Sequence, residues 1–254
     1  MSLPGGAPAV AVSGLRLKIG GATILDGIEL AAAPGELLGV IGPNGAGKTT
    51  LFNVLSGIVP ATAGRVHLNG QDVTTRPVTS RARGGLGRTF QTSSLFGQLS
   101  VAENVRIAAQ AALGPSLSLL ARPRAGDRAS AIARDRIAAV GLTDQAHRPA
   151  GALAHGEQRK VEIAMLLAAE PSVILLDEPM AGVASGDVAG LAELIRSIHR
   201  QGRTVLMVEH HLDVVLELAD RVAVLHHGRV LACDTPAEVM ANPEVQAAYL
   251  GRAA

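Results

Sequence analysis

The fold of this 254-residue chain is decided by the stretch Gly42-Pro43-Asn44-Gly45-Ala46-Gly47-Lys48-Thr49. It matches the pattern G-x-x-x-x-G-K-[ST] at every fixed position, and it follows Leu37 to Ile41, an apolar run typical of buried parallel strands. The glycines let successive backbone N–H groups and the start of the next helix converge on phosphate oxygens. In this pattern, Lys48 reaches the β- and γ-phosphates and the Thr49 hydroxyl binds Mg²⁺. The stretch therefore predicts a nucleotide-binding loop between a strand and a helix.

A pair of acidic residues predicts the rest of a hydrolytic site. Val173 to Leu176 are apolar and predict a second buried strand, which is followed by Asp177 and Glu178. In an open parallel sheet, ligands bind beyond the C-terminal ends of the strands. We therefore expect Asp177 to hold Mg²⁺ and Glu178 to accept a proton from the attacking water. Together with the loop, this pair predicts that the chain binds and hydrolyses ATP.

The second half of the chain alternates between helices and short apolar strands. The alternation starts near residue 161, and its later elements are Val173–Leu176, Val188–His199, Thr204–Val208, Leu212–Leu218 and Arg221–Leu225. Such a pattern predicts an α/β fold with a parallel sheet and crossover helices.

The first half of the chain predicts two further regions, a small antiparallel sheet and a helical region. Leu15–Ile19 and Ile28–Ala32 are strand-like and are interrupted by Gly20-Gly21 and Asp26-Gly27, which indicates a small antiparallel sheet. The middle of the chain, exemplified by the Ala-rich periodic segment 102–110, predicts mostly helix.

Composition argues against several classes of protein. The 23 Lys and Arg residues nearly cancel the 22 Asp and Glu residues, so no overall charge attracts nucleic acid or acidic lipid. Aromatic residues are only 2% of the chain, which removes the stacking platforms that hold single-stranded nucleic acid. Cys233 is the single cysteine, which excludes an internal disulfide. No apolar run reaches the ~18 residues that a membrane-spanning helix needs.

Two groups of arginines resemble a basic patch for nucleic acid. No aromatic residues interleave with them, so we expect solvated faces or a dock for membrane subunits instead. The groups are Arg81, Arg83 and Arg88, and Arg122, Arg124 and Arg128.

These stretches together resemble the nucleotide-binding subunits of ATP-binding cassette (ABC) transporters, over essentially the whole chain. The resemblance implies one ABC ATPase domain with a P-loop NTPase (RecA-like) core and a small N-terminal antiparallel β subdomain, at about 10–91 and 161–254. It also implies an inserted α-helical subdomain at 92–160. Residues 1–9 are expected to be flexible.

The same resemblance assigns roles to residues outside the two motifs. Gln91, in Gly87-Arg88-Thr89-Phe90-Gln91, matches the glutamine that senses Mg²⁺ and the attacking water, and His210 matches the switch histidine that contacts the γ-phosphate. Thr50 joins the loop in binding ATP. Ile19 stands where most members place an aromatic residue against adenine; isoleucine lacks the π-face, which predicts weak discrimination between ATP and GTP. The implied metal ligands are Thr49, Gln91 and Asp177.

The family signature L-S-G-G-Q is matched loosely by Leu153-Ala154-His155-Gly156-Glu157-Gln158. Ala154 replaces the serine and His155 replaces the first glycine, whereas Gly156 and the start of a helix remain available for anion binding by backbone N–H groups. In this family the signature acts on the nucleotide of the opposite subunit. The resemblance therefore implies a head-to-tail pair of ATP-binding subunits, with a monomer nearly inactive.

Finer details resemble the branched-chain and hydrophobic amino-acid importer branch of the family. They lie in Gly87–Gln91, Glu162-Ile163-Ala164, Glu178-Pro179-Met180-Ala181-Gly182 and the tail Asn242 to Gly251. This branch implies a second ATP-binding subunit, two multi-span membrane subunits and, indirectly, a periplasmic or extracellular solute-binding protein. The implied location is the cytoplasmic face of a bacterial inner membrane, without nucleic acid. An importer of urea or amides, a lipopolysaccharide-type exporter and a soluble P-loop regulatory ATPase stay open as alternatives.

Overall fold

The computed structural model describes residues 7–89, 95–114 and 127–250 as two compact units. The first unit contains residues 7–88, 172–178 and 195–250, and the second contains the described residues of 89–171 and 179–194. The second unit extends beyond the range 92–160 predicted for the helical subdomain. One reason is that a single continuous helix, His155–Leu167, carries residues 161–167 along with the signature.

Ten strands, nine α-helices and two short 3-10 helices, Thr143–Gln145 and Ala150–Ala152, occupy the described ranges. In chain order they are β1 (Val10–Ile19), β2 (Ala22–Ala32), β3 (Leu37–Ile41), α1 (Lys48–Ser56), β4 (Ala63–Leu68), β5 (Gln71–Asp72), α2 (Val78–Arg83), β6 (Leu86–Arg88), α3 (Val101–Leu113), α4 (Arg128–Ala139), α5 (His155–Leu167), β7 (Val173–Asp177), α6 (Ser185–Arg200), β8 (Thr204–Val208), α7 (Leu212–Leu218), β9 (Arg221–His226), β10 (Arg229–Asp234), α8 (Pro236–Ala241) and α9 (Pro243–Leu250). None of the helices in these ranges has the length and apolar character needed to cross a membrane.

The N-terminal sheet of the first unit is antiparallel, as predicted, with strand order β2-β1-β4-β5. The hairpin at Gly20-Gly21 is confirmed, but Asp26-Gly27 does not break β2. Leu15 pairs with Ile28 and Arg16 pairs with Asp26, so Gly27 is the extra residue of a β-bulge. Its positive φ of 72° explains the glycine at that point.

The prediction that residues 1–9 form a flexible tail is wrong for its last residue, Ala9. The Ala9 N–H group donates to the carbonyl oxygen of Ala32 at 2.9 Å, and the Ala9 carbonyl accepts the N–H group of Asn69 at 2.8 Å. Ala9 is also buried, so these bonds hold it against the antiparallel sheet just before β1 begins. Residues 1–6 lie outside the described residues.

The second sheet of the first unit carries the nucleotide-binding loop. Its strand order is β10-β9-β3-β8-β7-β6, with β9, β3, β8, β7 and β6 parallel and β10 antiparallel to β9. Every residue of β3, β7 and β8 is buried, in agreement with the apolar runs that predict these strands. The alternation in sequence did not reveal the two edge strands, because β6 has only three residues and the residues of β10 are mostly half-buried.

Helix α1 follows the loop and is fixed at both ends. Gly47 directly precedes it and Gly57 directly follows it, and both have the left-handed conformation. Beyond its C-terminus lies Arg81, whose guanidinium donates to the carbonyl oxygens of Val54 and Leu55, both at 2.7 Å. These are among the last carbonyls of α1, which have no partner within the helix. Arg81 is therefore a buried cap for the helix that presents the loop, and the prediction of a solvated face is wrong for it.

The second unit is built mainly from helices, as predicted for the middle of the chain. Helix α3 begins with a capping box, in which Ser100 and Glu103 satisfy each other's backbone N–H groups. Helix α4 begins at the side chain of Asp127, which accepts the N–H group of Ser130. Both helices pack on α5 through small and branched apolar residues. Arg122 and Arg124 of the second arginine group lie outside the described residues.

Candidate active site

The loop between β3 and α1 needs glycine for steric reasons at two positions. A Cβ atom on Gly42 would lie 2.1 Å from the carbonyl oxygen of Leu225, and one on Gly47 would lie 2.9 Å from Cδ2 of Leu25. Both residues also have positive φ, at 149° and 101°. The loop is thus held against its neighbouring strands by close backbone approach, as a phosphate-binding loop requires.

Lys48 lies inside the curl of this loop. Its Nζ atom donates to the carbonyl oxygens of Gly42 at 2.7 Å and Pro43 at 3.0 Å, and the residue is buried. These bonds hold the ammonium group at the loop, where it offers a positive charge to an incoming phosphate.

A cavity of about 300 Å³ opens beside the loop. It unites residues that are far apart in sequence, because β3, β8 and β7 are adjacent and end at the same edge of the sheet. Its lining residues are Asn44, Gly45, Ala46, Gly47, Lys48, Thr49, Thr50, Glu178 and His210.

Glu178 and His210 face each other in this cavity. Nε2 of His210 lies 2.9 Å from Oε1 of Glu178. Glu178 has a left-handed backbone with φ of 49°, which is uncommon outside glycine, and its N–H group donates to the carbonyl oxygen of Val208 at 2.9 Å. Backbone strain of this kind persists where surrounding contacts impose it, and it is concentrated at functional sites.

Asp177 is the last residue of β7, and its side chain is only 1% exposed. Its Oδ2 atom accepts a bond of 2.8 Å from Nη2 of Arg88, whose side chain is 6% exposed. Nη1 of Arg88 also donates to Oγ of Ser56 at 2.7 Å, which links β6, β7 and α1. Burial raises the pKa of the Asp177 carboxyl, while the Arg88 guanidinium lowers that pKa. The prediction that Arg88 lies on a solvated face is therefore wrong.

The donor set beside the loop suits Mg²⁺, which prefers oxygen ligands and keeps several of its waters. The hydroxyl of Thr49 belongs to a residue of the cavity lining, whereas Asp177 is not part of that lining. Thr49 and Asp177 are the described residues that would hold the ion, through a hydroxyl and a carboxylate oxygen.

The predicted roles of Ile19 and Gln91 are not tested by this cavity. Ile19 is the last residue of β1, 55% exposed, and does not line the cavity. Its contact with adenine stays a prediction. Gln91 lies outside the described residues, so its role also stays a prediction.

The signature segment lies in the second unit, at the start of α5. Ala154 precedes the helix and donates its N–H group to Oε2 of Glu157 at 3.1 Å, which forms one half of a capping box. Alanine has no side-chain oxygen for the other half. Leu153 is buried, and its carbonyl oxygen accepts a bond from Nε2 of Gln158 at 3.0 Å. Together these contacts fix how the chain enters α5.

Gly156 of the same segment is buried against another part of the second unit. A Cβ atom on Gly156 would lie 3.2 Å from Cβ of Asp187, so a larger residue would crowd the start of α6. His155, one residue earlier, lies near Gly182, with 3.7 Å between its Cδ2 atom and a Cβ built on that glycine. The glycine at 156 thus has a packing reason in addition to its predicted role.

Two features of the first unit were not predicted from the sequence. One is a larger cavity of about 650 Å³ on residues 43–46, bordered by His226, His227 and Glu244 among others. The other is Glu209, a buried carboxylate beside His210. The sequence signal for Glu209 is an acidic residue directly after the apolar strand β8, the same pattern that marks Asp177 after β7.

A lysine held in a glycine loop, with an acid and a histidine facing it from neighbouring strands, defines a P-loop nucleotide hydrolase. The chain belongs to the ABC transporter family: the family model described as "ABC transporter" matches residues 25–181. A second model, described as "Branched-chain amino acid ATP-binding cassette transporter", matches residues 229–254. The chain is therefore an ABC ATPase that binds nucleotide.

Relatives of known name match over nearly the whole chain. The high-affinity branched-chain amino acid transport ATP-binding protein LivG of Escherichia coli is 38% identical over 252 residues, covering 97% of this chain and 99% of LivG. The corresponding protein BraF of Pseudomonas aeruginosa is 37% identical over 254 residues, with the same coverage.

Solved structures agree with the fold. The ADP conformation of MJ1267, an ATP-binding cassette of an ABC transporter, superimposes with a TM-score of 0.86 at 29% identity, covering 97% of this chain and all of MJ1267. The cassette cbiO1 from Clostridium perfringens, part of the cbiONQ transporter complex, gives a TM-score of 0.81 at 28% identity, covering 96% of this chain and 95% of cbiO1.

Proposed function

We propose that this chain is the ATP-hydrolysing subunit of an importer for branched-chain or other hydrophobic amino acids. The observation that carries the ATPase part is the meeting of Lys48, Glu178 and His210 in one cavity. The cargo is supported by the names of LivG and BraF as branched-chain amino acid transport ATP-binding proteins and by the match of the C-terminal segment 229–254.

In the proposed reaction, Glu178 is the general base. Its carboxylate accepts a proton from a water molecule that attacks the γ-phosphate, the bond between the β- and γ-phosphates breaks, and ADP and phosphate leave. His210 orients Glu178 and contacts the γ-phosphate. Lys48 and the backbone N–H groups of the loop stabilise the negative charge on the phosphate oxygens.

Mg²⁺ has a place in this proposal beside the phosphates. Thr49, Gln91 and Asp177 are proposed to hold the ion. When bound, the ion neutralises charge on the phosphate oxygens. Arg88 keeps the carboxylate of Asp177 oriented at the end of β7.

The proposed assembly contains two ATP-binding subunits in head-to-tail arrangement. Residues 153–157 of one subunit contact the nucleotide held by the loop of the other, so each chain supplies two half-sites. We further propose that two multi-span membrane subunits anchor this pair to the cytoplasmic face of the membrane and that a solute-binding protein delivers the cargo from outside.

Uptake by cells lacking this chain tests the proposal. Deletion is expected to abolish uptake of radiolabelled leucine but not of urea, and wild-type chain or Glu217→Gln is expected to restore it. Glu217 is a matched control because it is an exposed acid of the same unit outside the cavity. Glu178→Gln is expected not to restore uptake.

The open alternatives give different results in the same cells. Loss of urea uptake with normal leucine uptake would support an amide importer instead. If neither uptake changes, affinity purification from detergent-solubilised membranes separates the remaining alternatives: a lipopolysaccharide-type exporter brings down multi-span proteins, and a soluble regulatory ATPase does not.

A further inference from the structure

Glu209 is a buried acid in a position that the predicted chemistry leaves unused. It follows β8 directly and precedes His210, and its side chain is only 1% exposed. Burial of a carboxylate is costly unless hydrogen bonds replace the lost water. The contacts of this carboxylate therefore show what it stabilises.

One oxygen of Glu209 accepts hydrogen bonds from the backbone of the next two residues. Oε2 accepts the N–H group of His210 at 2.9 Å and the N–H group of His211 at 3.3 Å. The same oxygen lies 3.2 Å from Nδ1 of His211, which donates in the tautomer that carries its proton there. Bonds from consecutive backbone N–H groups to one side-chain oxygen fix the direction in which the chain leaves β8.

This anchor matters because the imidazole of His210 is not held by burial. Its side chain is 46% exposed, yet Nε2 reaches Oε1 of Glu178 at 2.9 Å. Glu178 in turn is fixed by its N–H bond to the carbonyl oxygen of Val208. The two members of the pair are thus fixed by consecutive residues, Glu178 by Val208 and His210 by Glu209.

We propose that Glu209 is a positioning residue for ATP hydrolysis, which acts by holding the backbone of His210 where its imidazole meets Glu178. The inference rests on the proposed roles of His210 and Glu178. Glu209 is not among the residues that line the cavity, whereas His210, whose N–H group it accepts, is. Its effect is therefore expected on turnover rather than on nucleotide binding.

The test compares variants of Glu209 in the full chain. Glu209→Leu removes the acceptor, and we expect kcat to fall roughly 10- to 100-fold, since a misplaced group loses that much. The Kd for a fluorescent ATP analogue should change by less than about threefold, because the loop that binds the nucleotide is unchanged. Glu209→Gln keeps a carbonyl oxygen at the same place and should retain most of the wild-type kcat.

A buried acid elsewhere in the same unit provides the matched control. Glu36 is also buried, its Oε2 accepts the N–H group of Ala33 at 2.6 Å, and it lies at the opposite, N-terminal end of β3. Glu36→Leu is expected to lower the melting temperature, because it removes a buried hydrogen-bond acceptor. Its kcat per nucleotide-binding site is expected to equal that of the wild type. The turnover of every variant is divided by the concentration of sites that bind nucleotide, so that unfolded protein does not lower the value.

Glu209→Asp covers the case in which Glu209→Leu yields too little folded protein. It keeps the charge and withdraws the oxygen by one methylene, and a severalfold fall in kcat is expected. The proposal would be overturned if Glu209→Leu and Glu209→Asp, which lack the acceptor oxygen at its native position, fold and keep the wild-type kcat. An equal loss in Glu209→Gln and Glu209→Leu would also overturn it, since charge rather than hydrogen bonding would then be responsible.

A double-mutant cycle with His210→Ala separates this inference from the proposed function. In the His210→Ala background, Glu209→Leu should cause little further loss, because residues that act as a unit are not additive. Additive losses would overturn the positioning role alone. Wild-type turnover in His210→Ala itself would instead refute the proposed role of His210, and the inference would fall with it.

Discussion

Nε2 of His210 lies 2.9 Å from Oε1 of Glu178, although 32 positions separate the two residues in sequence. The contact joins the end of β8 to the end of β7, beside the loop that holds Lys48. An acid with a hydrogen-bonded histidine at the phosphate-binding edge of a sheet is suited to accept a proton from water. The pair is the basis of the first prediction.

Glu178→Gln is expected to lower kcat for ATP by about 10²- to 10⁴-fold, the range contributed by general bases. Nucleotide affinity should stay near the wild-type value, since the loop is unchanged. Size-exclusion chromatography with ATP should show a stable dimer. Glu217→Gln is the control and should behave as wild type in each measurement. Turnover at the wild-type rate in Glu178→Gln would exclude Glu178 as the base.

Arg88→Met is expected to destabilise the first unit, because it leaves the buried carboxylate of Asp177 without its cation. Breaking a buried ion pair in this way costs about 3–5 kcal/mol. The melting temperature of the full chain is the measurement. Arg83→Met, at an exposed arginine of the same region, is the control and should change it little.

The destabilisation should also depend on pH. Burial already raises the pKa of Asp177, and removal of the Arg88 guanidinium raises that pKa further. A carboxyl with a raised folded-state pKa contributes most stability when protonated, and this contribution is lost as pH rises through the folded pKa. Arg88→Met should therefore lose less stability at acidic pH than at neutral pH. A loss that is independent of pH would contradict the account of the pair.

The main strands and the loop could be predicted because their signals are local. Leu37–Ile41 and Thr204–Val208 are continuous apolar runs, and both occur as strands with the predicted bounds. The partner of Asp177 could not be predicted, because Arg88 lies 89 positions earlier in the chain. An arginine considered without its neighbours in the fold indicates a solvent-exposed position. Only the pairing of β6 with β7 brings Arg88 to the carboxylate. The bulge at Gly27 was missed for a similar reason, since turn and bulge share the same Asp-Gly signal.

Ala154→Ser should stabilise the second unit. The N–H group of Ala154 already bonds to Glu157, and a serine hydroxyl would complete the capping box by accepting the N–H group of Glu157. The gain at such a position is about 0.5–2 kcal/mol. Urea denaturation measures it, and Ala152→Ser, at an exposed residue outside α5, is the control. No gain over Ala152→Ser would show that the helix start does not accommodate the hydroxyl.

Ile19→Tyr is the prediction that addresses the nucleotide base. If Ile19 lies against adenine in the nucleotide complex, an aromatic ring in its place gains stacking worth about 0.5–1.5 kcal/mol, which corresponds to roughly 2- to 12-fold tighter binding of ATP. Isothermal titration with a non-hydrolysable ATP analogue measures the change, and Ile58→Tyr is the control because Ile58 is another exposed isoleucine of the first unit outside the cavity. Tighter binding in Ile19→Tyr alone would place residue 19 at the base. Unchanged or weaker binding would mean that adenine is held by other residues, and that the exposed position of Ile19 reflects only its place at the end of β1.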